Sequence, residues 1–221
     1  MTPHSRILRM CSLAFCAPFI CGWLAAGCGG GGGGGISNDD PGDNDLNVVV
    51  AFGDSLTSNV CDCESYPSRL AGLIGKTVCN EGVSGSTAAS GSGRVVSVIQ
   101  SRKGAFMLIL YGINDMLYGR STTDIVSSLE KIVNSCRDNH VVPVLATYPI
   151  PIEGHEIFAG GTYRLNRGIR ELADAYGLEC VDLEDEFSDN GEPDASLYEA
   201  DGLHPNDTGN QVMALSFADL F

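Results

Sequence analysis

Basic residues are scarce in this 221-residue chain: 13 Lys and Arg stand against 28 Asp and Glu, for a formal charge of −15. Nucleic acid is thereby excluded as a partner, because phosphate binding draws on clustered Lys and Arg that release counterions, and the chain has no basic stripe. Histidines number four, and no two have metal-ligand spacing. Cys61-Asp62-Cys63 has no second Cys or His cluster close in sequence, so neither a metal nor another cofactor is expected. No internal repeat is visible, and the longest apolar run, Met10 to Ala26, is too short for a membrane span. What the chain does have is 43% hydrophobic and only 19% charged residues. That composition belongs to a folded chain, long enough to bury a core without staples.

Arg6 and Arg9 followed by the apolar run read as a targeting segment. It ends in Leu24-Ala25-Ala26-Gly27-Cys28, which resembles the lipobox of bacterial lipoproteins. The resemblance implies that residues 1–27 are a signal peptide and that Cys28 becomes an acylated N-terminus. Two or more acyl chains hold stably at a membrane where one does not. Cleavage would remove two basic residues and no acidic ones, leaving 11 against 28 and a charge of −17. Seven consecutive glycines, Gly29 to Gly35, and a polar run to Asp45 follow. No strand precedes these glycines and no Lys-Ser/Thr follows them, so they are not a phosphate cradle. Residues 28–45 read as the anchor and a flexible tether with a span on the order of 23 Å, and residues 46–221 as one domain. The expected location is the cell envelope, facing outward from the cytoplasm. Gly29 in place of a retention-type aspartate favours an outer membrane or cell surface.

From Leu46 onward, strand patterns alternate with helical ones. Strands are expected at Leu46 to Phe52, Lys76 to Asn80, Ala105 to Tyr111, Val141 to Tyr148 and Leu178 to Leu183. Helices are expected at Pro67 to Ile74, Arg94 to Arg102, Thr123 to Asn139, Tyr163 to Tyr176 and Thr208 to Leu220. Such alternation predicts a three-layer α/β/α sandwich around a five-stranded parallel sheet, with its site beyond the carboxyl ends of the strands. Polar groups collect at those exits: Gly53-Asp54-Ser55-Leu56 after the first strand, Asn80 to Gly85 after the second, and Gly112-Ile113-Asn114-Asp115 after the third. Asp201-Gly202-Leu203-His204-Pro205 precedes the last helix.

These four blocks, in this order, resemble the SGNH or GDSL hydrolase family across Val48 to Asn206. The resemblance implies a flavodoxin-like strand order and ester hydrolysis by a serine nucleophile. It assigns Ser55 as nucleophile, His204 as general base and Asp201 as its orienting acid, with the oxyanion held by Ser55, Gly85 and Asn114.

The residue types support those roles independently. A serine hydroxyl needs a base within hydrogen-bond reach, and an imidazole is mostly neutral at pH 7. Asp201, three residues before His204, can reach its ring across one turn. Plain structural readings compete: Ser55 or Asn114 as a helix cap, Asp54 as a turn residue, Asp115 as a bond to loop amides, and His140 as a helix-end residue. His155 is a weak rival base. Ile150, Ile152, Ile157, Phe158 and Tyr163, in and just beyond the loop after the fourth strand, are candidates for the wall of an acyl or alcohol pocket. Five cysteines remain in the domain, and one bridge is expected, from Cys79 to Cys61 or Cys63, in an oxidising compartment.

The favoured function is an esterase acting on acyl esters, with the thioesterase and lysophospholipase group as the nearest likeness. A carbohydrate O-acetylesterase is the second reading, and a non-catalytic surface binding module the third. The expected partners are a small-molecule or glycan ester and, through Cys28, a membrane; the catalytic domain is expected to act as a monomer.

Overall fold

The computed structural model describes residues 41–221; the expected signal peptide, Cys28 and residues 29–40 of the expected tether lie outside the described residues. The chain runs β1 (Asp45–Gly53), α1 (Ser55–Ser58), α2 (Tyr66–Ile74), β2 (Thr77–Gly82), α3 (Ala88–Arg102), β3 (Gly104–Leu110), α4 (Ile113–Leu117) and α5 (Thr122–Asp138). It continues with β4 (Val142–Ala146), α6 (Ala159–Tyr176), β5 (Cys180–Val181), α7 (Leu183–Glu186), a hairpin of β6 (Ser188–Asp189) and β7 (Glu192–Pro193), and α8 (Asp207–Ala218).

The main sheet has the order β2-β1-β3-β4-β5, and every pairing in it is parallel. Its central strands are apolar on both sides, as a sheet covered on two faces requires: Val49 to Phe52 and Met107 to Leu110 are all buried. Right-handed crossovers then dictate where the helices go. The step from β1 to β2 moves one way across the sheet, whereas the steps to β3, β4 and β5 move the other way. Helix α2 therefore covers one face, and α3, α5 and α6 cover the opposite one. The observed packing agrees, with α3 against α5, α5 against α6, and α8 against α2. The reversal of direction leaves a crevice beyond the carboxyl ends of β1 and β3, where such sheets place their ligands.

Helix α3 starts six residues earlier than its apolar pattern foretells. Ser90-Gly91-Ser92-Gly93 has poor helix propensity, but a local cap and tertiary contacts override it. Thr87 Oγ1 accepts from the Ser90 amide at 3.1 Å, and the Asp115 carboxylate accepts from the Ala88 amide at 2.7 Å. Gly91 meanwhile lies under Tyr111, where a Cβ would stand 3.0 Å from the ring.

The expected bridge from Cys79 to Cys61 or Cys63 does not form; Cys61 pairs with Cys63 and Cys79 is free. Strand geometry explains why. Cys79 and Glu81 share a face of β2, and Glu81 binds Arg94 and Arg102, so that face looks toward α3. Cys61 and Cys63 lie on the other side of the sheet, against Asn210 of α8. Asn59 folds the intervening turn, with its amide donating to the Cys63 carbonyl at 2.7 Å.

Candidate active site

β1 delivers the chain to the crevice in a sharp turn. Gly53 has no room for a side chain, since a Cβ there would stand 2.1 Å from Thr57 Oγ1. Asp54 caps α1 by accepting from the Leu56 amide at 3.0 Å, which leaves Ser55 as the first residue of the helix. Capping therefore belongs to Asp54, and the Ser55 hydroxyl points elsewhere: its Oγ lies 3.0 Å from His204 Nε2.

His204 is set by the segment before α8. Its Nδ1 lies 2.5 Å from Asp201 Oδ2, while Asp201 Oδ1 accepts the amides of Leu203 and His204, each at 3.0 Å. An ionised carboxylate only accepts, so Nδ1 carries the proton and Nε2 is left to take one from Ser55. Partial burial pushes the Asp201 carboxyl up, but the His204 ring and the two backbone amides outweigh it and hold the group below the usual carboxylate range. Asp201 therefore stays ionised beside the ring.

Two contacts lock this segment. Gly202 has φ +67°, and a Cβ would stand 2.4 Å from the Glu153 carbonyl oxygen, so only glycine fits. His155 donates from Nδ1 to the Asp201 carbonyl at 2.8 Å. It thus braces the acid's backbone from the loop after β4 and is not a second base at Ser55.

The amides of Ser55 and Gly85 have no acceptor within the protein among the described residues. Gly85 has φ +74° and open space where a Cβ would be, and the residue is exposed. Asn114, the second residue of α4, is buried. Its Nδ2 lies 3.1 Å from Asp54 Oδ2 and 3.1 Å from the Ser86 carbonyl. Both of its protons therefore have acceptors, and a developing oxyanion would take one of them from Ser86. Asp115 accepts from Ala88 and holds the start of α3.

Asp54 is fully buried, and burial raises its carboxyl from 3.8 to about 6 against the opposing pull of Tyr148, Leu56, His204 and Asn114. Tyr148 just beyond β4 donates to Asp54 Oδ2 at 2.7 Å. Reading the sequence block by block did not single out Tyr148, because an aromatic at the end of an apolar strand reads as core. Nor did it find Asn166, whose side chain bonds both backbone groups of Tyr148, or Asn210, which accepts from the Tyr66 amide and donates to the Pro205 carbonyl.

Four of the five residues expected to wall one pocket are divided between two, and Ile152 lines neither. Ile150 and Tyr163 line a polar cavity with Arg170, Asp182 and Phe187, whereas Ile157 and Phe158 line another with Met116 and Arg164. The Ile150 side chain is buried and Ile157 is 79% exposed, so they face different environments. Among the described residues no group of His, Cys, Asp and Glu could hold a metal ion.

Residues 51–212 match the GDSL-like lipase/acylhydrolase family. The chain belongs to that family. Members are ester-hydrolysing enzymes, so this GDSL hydrolase is an enzyme and not a binding module. No curated protein sequence matches it. Solved structures share the fold at low identity. A G-D-S-L family protein from Desulfitobacterium hafniense has 20% identity and a TM-score of 0.71, with 79% of this chain and 99% of that one covered. The lipase/acylhydrolase from Enterococcus faecalis has 21% identity and a TM-score of 0.68 over 78% and 94% of the two chains. A catalytic mutant of an acetylxylan esterase from Geobacillus stearothermophilus has 21% identity and a TM-score of 0.67 over 78% and 92%.

Proposed function

We propose that this GDSL hydrolase is a lipid-anchored, extracytoplasmic serine esterase that cleaves carboxylic esters through an acyl-enzyme on Ser55. The observation that carries the chemistry is the line of contacts from Ser55 Oγ through His204 to Asp201, at 3.0 and 2.5 Å. In the first half-reaction Ser55 Oγ bonds to the ester carbonyl carbon as its proton passes to His204 Nε2. The carbonyl oxygen becomes an oxyanion facing the Ser55 and Gly85 amides and the Asn114 amide. Collapse breaks the bond to the alcohol oxygen, which takes the proton from His204. Water then repeats the sequence against the acyl-serine, and the acid leaves. All these groups come from one chain, which supports a catalytic domain active as a monomer. The lipobox-like segment ending in Cys28 supports the anchor, and the excess of acidic residues leaves acylation, not surface charge, as the means of holding a membrane.

For the substrate, acyl esters of the thioesterase or lysophospholipase type are the first reading. O-acetyl groups on a glycan are the second, supported by the likeness to the acetylxylan esterase. Turnover of p-nitrophenyl acetate, butyrate and octanoate and of acetylated xylan separates the two, with Ser55→Ala as control. Rates that rise with chain length favour the first reading, and rates confined to acetyl favour the second. Activity that persists in Ser55→Ala contradicts both.

A further inference from the structure

Tyr148 is held more tightly than core packing requires. Asn166 in α6 brackets its backbone, accepting from the Tyr148 N–H at 2.8 Å and donating to the Tyr148 carbonyl at 2.8 Å. The side chain then passes beneath the site, fully buried, and its hydroxyl reaches Asp54 Oδ2 at 2.7 Å. That same oxygen is the acceptor for Asn114 Nδ2, while Asp54 Oδ1 is taken by the Leu56 amide. The buried carboxylate is therefore pinned at one oxygen by the helix it caps and at the other by Tyr148, and Asn114 hangs from the second.

We propose that Tyr148 is a positioning residue for the oxyanion contact: acting through Asp54 Oδ2, its hydroxyl fixes the Asn114 carboxamide so that the N–H now on Ser86 can meet the developing oxyanion. This rests on the reading of Asn114 as an oxyanion donor. A hydroxyl bonded to a carboxylate is a strong, charge-assisted contact, and both partners are buried where no water replaces it. Without it Asp54 Oδ2 can swing, and the carboxamide loses its fixed edge. The groups that face Asp54 are Tyr66 of α2, Tyr111 at the end of β3, Asn114 of α4, Tyr148 beyond β4 and His204 before α8. Of these, Tyr148 does most to keep the carboxyl ionised, so its loss also moves Asp54 toward the protonated form, a poorer acceptor for Asn114.

Because the oxyanion exists only in the transition state, the effect belongs in kcat and not in KM. Small displacements of a positioned group cost up to about a hundredfold. With p-nitrophenyl acetate, Tyr148→Phe is expected to lower kcat by roughly 10–100-fold, with KM within about twofold. It is also expected to shift the acid limb of kcat/KM to higher pH. Asn114→Ala lowers kcat further, and Tyr148→Phe adds nothing on top of it, since the tyrosine acts only through that amide. Asp54→Asn preserves volume and, with its Oδ1 kept on the Leu56 amide, turns N–H donors toward both Tyr148 and Asn114 where Oδ2 stood; it is expected to lower kcat and, again, to add nothing to Asn114→Ala. Should Tyr148→Phe fail to fold, as read by its thermal transition, Asp54→Asn carries the same test. An unchanged kcat in Tyr148→Phe, or losses that multiply with Asn114→Ala, overturns the proposal. Either result in an enzyme whose wild type is active and whose Ser55→Ala is dead leaves the esterase reading standing, whereas an inactive wild type removes the esterase reading itself.

Discussion

A serine hydroxyl carries no special reactivity, and Ser55 differs from the other serines of this chain only in what surrounds it. His204 lies within reach of its hydroxyl, and the amides of Ser55, Gly85 and Asn114 are the proposed oxyanion donors. Replacing Asp201 with Asn keeps its shape but lets the ring adopt the wrong tautomer, so kcat is expected to fall by roughly 10³–10⁴ with little change in KM. Steady-state kinetics check this, and a loss below tenfold contradicts the assigned role. Asn114→Ala is expected to lower kcat by about 10²–10³, the usual cost of one oxyanion donor. Asp54 makes a prediction about stability. Its carboxyl is raised from 3.8 to about 6 by burial, so the folded protein binds that proton more tightly than the unfolded chain does. The stability it contributes is complete below about pH 4 and is lost as pH rises through about 6. The unfolding free energy of the wild type minus that of Asp54→Asn is expected to drop by roughly 2 kcal/mol between pH 4 and 7. Urea titrations at several pH values measure this, and a difference that stays flat with pH refutes it.

At the scale of elements, the segment from Tyr198 to Pro205 depends on the loop after β4. The Ile152 amide donates to the Gly202 carbonyl at 2.8 Å, and His155 holds the Asp201 carbonyl. Gly202→Ala forces a Cβ against the Glu153 carbonyl oxygen at a positive φ, and is expected to destabilise by about 1–3 kcal/mol and to displace Asp201. A lower Tm together with a lower kcat is the outcome to look for; an unchanged Tm argues against the clash. The same scale shows what the sequence makes legible. Long apolar strands, strand exits and their polar blocks can be read because periodicity and turn residues are local properties. The early start of α3 is legible only in its Thr87 cap, because its other supports, Asp115 and Tyr111, are distant in sequence. The Asn190-Gly191 turn of the β6–β7 hairpin, with both residues at positive φ, does have a local signal, but its strands are too short to show a pattern. The cysteine pairing follows from which face of β2 carries Cys79, and strand alternation alone does not say which face meets which helix. Non-reducing peptide mapping should find Cys61 and Cys63 in one peptide, two hydrogens lighter than its reduced form; a linkage to Cys79 contradicts the structure.

For the molecule as a whole, the strand order puts the exits of β1 and β3 side by side, so two of the blocks meet by topology before any side chain is considered. The acidic balance of 28 against 13 acts at this scale too, through solubility and repulsion from anionic surfaces. Chain lacking acylation is expected not to sediment with anionic phospholipid vesicles, and, on the proposed anchor, Cys28→Ser is expected to abolish incorporation of a labelled fatty acid into the protein; salt-sensitive vesicle binding by the unacylated chain contradicts that reading. Everything proposed for this site depends on Ser55 as the nucleophile, activated by His204. A fluorophosphonate reports it directly, since it reacts with an activated serine to form a stable adduct with loss of fluoride. Peptide mass spectrometry of the labelled chain should place the adduct on Ser55 in the wild type and find none in His204→Ala, whereas an adduct on another residue, or equal labelling of Ser55 without His204, would contradict the account.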